Sequence, residues 1–148
     1  MEIVRMEPGA RMGPRVLLVD DEQENRGLLR EVLELEGIVV VGEASDGKEG
    51  VAAAVEHHPD VVLMDLRMPV IGGIEATRLI KDALPATQVV ILTFYDEPLP
   101  SRSADQVGAF AYLVKGCSLQ LMLEVIWQAY RRAGQERESA RANGANGA

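Results

Sequence analysis

Hydrophobic positions along this chain fall into short, largely β-branched runs that alternate with stretches of helical spacing. The runs are VLLVD (16–20), IVVVG (38–42), DVVLMD (60–65), QVVILT (88–93) and AYLV (111–114). Between and after them lie helical stretches at 23–36, 47–57, 73–83 and 118–133, with one weak segment between the fourth and fifth runs. Apolar runs without polar alternation suit strands of a parallel sheet that is covered by helices on both faces. Five βα units in this order predict an α/β fold with a doubly wound, five-stranded parallel sheet. The turn residues agree: Gly37 follows the first helix, Asp46 precedes the second with Glu49 placed to complete a capping box, and Ser118 stands ready to cap the last.

Three stretches depart from this regularity. In EPLPSRSADQVG (97–108) Pro98 and Pro100 deny a helix its first turns, so the fourth helix is expected to start near Ser101, to be short and to be mobile or displaced. Residues 135–148 lack the large apolar side chains that offset ordering entropy, and residues 1–14, broken by Pro8-Gly9 and Gly13-Pro14, read the same way. They read as a flexible N-terminal segment and a disordered tail or linker around a domain at 15–134. In the last helix Leu119, Met122, Ile126 and Ala129 recur at helical spacing and are expected to face the sheet. Leu121, Val125 and Trp127 then remain as flanks, which either pack under neighbouring loops or form a partner or dimer surface.

The 148 residues carry a net charge of −8, all of it between Arg15 and Gly134, because each terminal segment sums to zero. That balance disfavours a surface for phosphate backbones and fits cations or basic partners, so no direct nucleic-acid contact is expected of this chain. The single Cys117 excludes an intramolecular disulfide and points to a reducing, cytoplasmic setting. No apolar stretch is long enough to span a membrane. His57 and His58 close the second helix, where the helix dipole favours a cation, and read as caps rather than metal ligands.

Candidate chemistry lies where the strands end. In an open parallel sheet, functional groups gather beyond the carboxyl ends of the strands. Here those ends carry Asp20 and Asp21, Asp65, Thr93 and Lys115. Taken singly, each has an ordinary reading: Asp21 as a helix cap with Glu24, Asp65 as a turn former, Thr93 as a satisfied strand residue, Lys115 as a surface cation. Together they put polar groups at one end of four apolar strands. Three carboxylates in one crevice repel one another unless they share a cation, and oxygen donors favour a hard ion such as Mg²⁺. A lysine and a hydroxyl beside them suit a phosphoryl group.

The segments VLLVDDE (16–22), VVLMDLRMP (61–69), ILTFYD (91–96) and GAFAYLVK (108–115) resemble the signature segments of response-regulator receiver domains, in wording most of all those of NarL/FixJ type. Order and spacing both match over residues 15–134: Asp65 lies 44 residues after Asp21, Thr93 28 after Asp65, and Lys115 22 after Thr93. The resemblance implies a flavodoxin-like (βα)5 fold with strand order 2-1-3-4-5. It implies that Asp65 is the phosphoacceptor, taking a phosphoryl group from a histidine kinase or phosphotransfer protein. Asp21, Asp65 and the backbone carbonyl of Arg67 would hold Mg²⁺, with Asp20 acting through a water. Lys115 would pair with Asp65 and then the phosphoryl oxygens, Thr93 would donate its hydroxyl, and Tyr112 would be an aromatic switch, unless it is an ordinary strand aromatic. The signal would leave through the face formed by the fourth helix, fifth strand and fifth helix, to a downstream protein or a second copy.

Departures from the family pattern are Lys115-Gly116 where many receivers have Lys-Pro, so that a cis peptide is not assured, and Val70-Ile71-Gly72-Gly73 after Pro69. Other readings stay open at this point. The chain is a stand-alone receiver, the receiver part of a helix-turn-helix transcription factor, or a binding module that works without phosphorylation. An aspartyl phosphatase on a similar fold would want a second acid two residues after its nucleophile, where Arg67 stands. As a receiver the chain is expected to catalyse no turnover beyond its own phosphorylation and dephosphorylation.

Overall fold

Every apolar run becomes a strand: β1 (Arg15–Val19), β2 (Val39–Ala44), β3 (Val61–Asp65), β4 (Gln88–Thr93) and β5 (Ala111–Val114). The computed structural model describes residues 13–94 and 107–146. All neighbouring strands pair in parallel, and the order is β2-β1-β3-β4-β5. The crossovers are α1 (Gln23–Leu35), α2 (Gly47–His57) and α3 (Gly73–Ala83), and α4 (Leu119–Asn146) follows β5. Successive side chains of a strand point to opposite faces, so the sheet carries two cores. Val61 and Leu63 of β3 pack with Leu33 of α1 and Met122, Ile126 and Ala129 of α4. Val62 and Met64 pack with Ala54 of α2 and with Ala76 and Ile80 of α3. Each fully buried aliphatic side chain contributes about 1.5–3 kcal/mol, and truncating Leu63 to Ala would cost about 2–5 kcal/mol.

The helix ends are built largely as the turn residues predict. Asp46 accepts the Glu49 N–H at 2.8 Å, and Ser118 Oγ accepts the Leu121 N–H at 3.1 Å. Glu49 completes the box one residue early, on the N–H and hydroxyl of Ser45. Gly37, with φ +82°, closes α1 while the Ile38 N–H bonds back to the Leu33 carbonyl. Asp21 does not cap α1; the N-cap is Glu22. His57 ends α2 and His58, in the left-handed region, is its C-cap; the carbonyls of both receive the Arg15 guanidinium.

The Pro14 carbonyl accepts the Val39 N–H at 2.9 Å. The last helix departs from the sequence reading in its length and in its buried face. The last helix does not stop near residue 133 but continues to Asn146. Its anchors there are polar, which is why a search for large apolar residues misses them. Arg137 pairs with buried Asp60 and donates to the Pro59 carbonyl, and Glu136 accepts from Gln88. Leu119 does not face the sheet; it is 37 % exposed, and Met122, Ile126, Ala129 and Ala133 form the buried stripe instead. The Lys115–Gly116 step carries Gly116 at φ +92°, and no peptide bond among the described residues is cis. The expected short fourth helix falls, up to residue 106, outside the described residues. No helix among the described residues is long and apolar enough to cross a membrane.

Candidate functional site

Parallel pairing brings the carboxyl ends of β1, β3, β4 and β5 to one edge, and with them the predicted polar residues. Asp20 follows β1, Asp65 and Thr93 are the last residues of β3 and β4, and Lys115 follows β5. The register holds them level: the Lys115 N–H donates to the Thr93 carbonyl at 2.7 Å, and the Asp20 N–H to the Ala44 carbonyl at 3.1 Å. Asp20, Asp65 and Thr93 are buried, whereas Asp21 is exposed.

Asp20, Asp21 and Asp65 each present a carboxylate oxygen within 4.8 Å of the other two. Lys115 Nζ lies 3.2 Å from Asp65 Oδ2 and 3.4 Å from Asp20 Oδ2. Two of the three acids, Asp20 and Asp65, therefore share one ammonium. Burial raises the Asp65 pKa above the usual carboxylate range; Lys115 pulls it back, and the neighbouring Asp20 charge adds to the rise. Burial opposes the charged form of Lys115, but Asp65 and Asp20 together outweigh it and hold its pKa above the usual lysine value. An all-oxygen, under-neutralised donor set of this kind fits a hard divalent cation.

The loop after β3 is shaped around Asp65. The Arg67 N–H points at Asp65 Oδ1 across 3.4 Å, and the Gly73 N–H donates to the Leu66 carbonyl at 2.9 Å. A Cβ at Gly73 would come within 2.3 Å of the Asp65 carbonyl oxygen, so α3 can start this close to the acidic residue because position 73 lacks one. Thr93 Oγ1 lies 3.3 Å from the Phe94 carbonyl.

Two neighbours of the site escape sequence reasoning. Phe94 sets its ring 4.7 Å from Lys115 Nζ, a cation–π contact foreshadowed by nothing more than an aromatic residue directly after Thr93. Arg26 reaches back from α1 to the Asp20 carbonyl, a main-chain contact with no sequence signature. A groove of about 530 Å³, lined by Asp20, Leu28, Leu29, Phe94, Lys115 and Met122 among others, opens from the site between α1 and α4.

The remaining predicted residues lie apart. Tyr112 is half-buried on β5, against the core shared with α2 and α3, with its hydroxyl shielded from solvent. Leu121 and Trp127 are 43 % and 38 % exposed, and Val125 is half-buried against the other core. Trp127 lines a shallow groove with Leu119 and Leu123 and stands edge-on to Tyr130 at 5.6 Å, with neither Leu121 nor Val125 in that groove.

Comparison with known proteins agrees with this arrangement. The chain is 44 % identical over 123 residues to the response regulator GacA of Pseudomonas aeruginosa, covering 82 % of this chain and 56 % of that protein. It is 44 % identical over 117 residues to the response regulator UvrY of Escherichia coli, covering 78 % and 53 %. Among solved structures, the response regulator domain of Thermotoga maritima CheB superposes with a TM-score of 0.71 at 35 % identity, over 80 % of this chain and 97 % of that one. The chain thus spans about half the length of the curated relatives it matches. The family model described as the response regulator receiver domain matches residues 16–127, a span that includes all four strand ends just described, and the chain belongs to that family.

Proposed function

We propose that Asp65 is the phosphoacceptor of this receiver and that Asp20, Asp21 and Asp65 hold Mg²⁺ beside it. The observation that carries this reading is the convergence of three carboxylates within 4.8 Å, two of them buried, with Lys115 as their near cation. An Asp65 oxygen attacks the phosphorus of a phosphohistidine on a histidine kinase or phosphotransfer protein. The O–P bond forms as the P–N bond breaks, and the imidazole nitrogen keeps the electron pair and takes up a proton. Bound at the cluster, through Asp21, Asp65 and the Arg67 carbonyl and with Asp20 acting through a water, Mg²⁺ supplies charge neutralisation for the phosphoryl oxygens. Lys115 shifts from the free carboxylate to the phosphoryl group, and the Thr93 hydroxyl turns from the Phe94 carbonyl to donate to it.

That turn empties space beside β5. Tyr112, in register with Ile91 of β4, follows it, changing the surface around β5 and α4 that a downstream protein or a second copy reads. The coverage of the relatives supports a second reading of the whole, in which this chain is the receiver part of a longer regulator, such as a helix-turn-helix transcription factor. In either setting the chain acts as a signalling phosphoacceptor of the cytoplasm, without turnover of other substrates.

Incubation with labelled acetyl phosphate, with and without Mg²⁺, tests the reading. Wild type should take up label when Mg²⁺ is present, Asp65→Asn should take up none, and Asp21→Asn should lose Mg²⁺ dependence along with most of the label. Equal labelling of wild type and Asp65→Asn would overturn it.

A further inference from the structure

The acidic cluster requires the corner after β1 to hold two consecutive aspartates in a fixed attitude, one buried and one exposed. The main chain of that corner is gripped from both sides. The Asp20 N–H donates to the Ala44 carbonyl of β2 at 3.1 Å, and the Asp20 carbonyl accepts from Arg26 Nη1 at 2.5 Å. The Asp20 carboxylate is held as well, by the Glu22 N–H at 2.9 Å. Arg26 is itself fixed: its side chain is 13 % exposed, and its Nε lies 3.2 Å from Glu43 Oε1 at the end of β2. The other oxygen of Glu43 receives Arg30 at 2.8 Å. Hydrogen bonding to Arg30, and then to Arg26, holds the Glu43 carboxyl below its ordinary pKa although burial opposes this, so the brace keeps its charge.

The carbonyl that Arg26 grips belongs to the peptide plane joining Asp20 to Asp21. Its orientation sets the direction in which the Asp21 side chain leaves the backbone. We infer that Arg26 is the positioning residue of the cation site, braced by Glu43 and acting through the Asp20–Asp21 peptide plane to aim the Asp21 carboxylate at Asp65. This rests on reading the cluster as a Mg²⁺ site, and it concerns a residue that touches neither the cation nor the phosphoryl group. A planar guanidinium reaches the carbonyl and Glu43 at once; a lysine ammonium has no such fork.

The effect on cation affinity has a sign that separates positioning from charge. Removing a positive group near three carboxylates makes them, by Coulomb's law alone, a better cation site. Removing the group that orients a ligand makes a worse one, by about tenfold or more. Calorimetric titration of Mg²⁺ into the full chain decides between them. Arg26→Gln should weaken binding about tenfold, and Arg26→Lys, which keeps the charge and loses the fork, should weaken it in the same direction by less. Tighter or unchanged binding in either folded variant, beside a wild type that binds, overturns the role of Arg26. A wild type that binds no Mg²⁺ overturns instead the reading of the cluster on which the role rests.

Discussion

Two buried aspartates stand at opposite ends of β3, and their surroundings could hardly differ more. Asp60, just before the strand, has no exposed surface; it accepts the Arg15 N–H at 2.9 Å and pairs with the Arg137 guanidinium of α4. Asp65, at the strand's far end, is 4 % exposed and meets two further carboxylates against one lysine. A charge buried with matched partners fastens elements together, here β1, β3 and α4. A charge buried among its own kind costs stability and keeps an affinity for cations in reserve. The same kind of side chain is therefore a fastening at one end of the strand and, under the proposed function, the phosphoacceptor at the other.

The sharpest break in that comparison comes from removing each acid in turn. Asp60→Ala leaves Arg137 and the Arg15 N–H without their shared acceptor and should cost about 3 kcal/mol or more in urea unfolding. The next largest effect belongs to the other end: Mg²⁺ at about a hundred times its dissociation constant should add about 2.7 kcal/mol to wild type. Asp21→Asn should lose most of that gain, and Asp60→Ala should keep it.

Without divalent ions, Asp65→Asn should stabilise the chain at neutral pH, on the order of 1 kcal/mol, because it removes a poorly compensated buried charge. A carboxyl with a raised folded pKa binds its proton more tightly when folded. It therefore lends stability at low pH and withdraws it as pH rises through the folded value. The advantage of Asp65→Asn should accordingly fade as pH falls through the raised Asp65 pKa, as urea unfolding at stepped pH would show. Smallest of all should be Glu34→Ala, which removes only the exposed Arg30–Glu34 pair and leaves Arg30 on Glu43; thermal unfolding should register about 0.5 kcal/mol or less.

The two ends of β3 were not equally legible. Apolar runs predicted all five strands and their parallel pairing, because a sheet covered on both faces leaves continuous hydrophobic runs in sequence. Polar residues at the ends of those runs predicted the acidic cluster, since topology alone carries strand ends to one edge. Asp60, by contrast, looked like the first residue of a strand. Its partner Arg137 lies 77 residues away, in a stretch that reads as tail, and nothing in local spacing announces such a contact. For the same reason local spacing does not reveal the length of α4. Leu119 stands exposed because a first-turn position at helical spacing need not reach the sheet, and Phe94 carries no sequence signal because a ring over an ammonium depends on how β4 and β5 align.

The most direct test of the contrast is to locate the phosphoryl group itself. After reaction with acetyl phosphate and Mg²⁺, reduction by borohydride converts an aspartyl phosphate to homoserine, and peptide mass mapping identifies the position. Homoserine at position 65, with Asp60 and Asp20 unmodified, is the result predicted here. Modification spread over several aspartates, or found elsewhere with Asp65 intact, would contradict the assignment of the reactive end of β3.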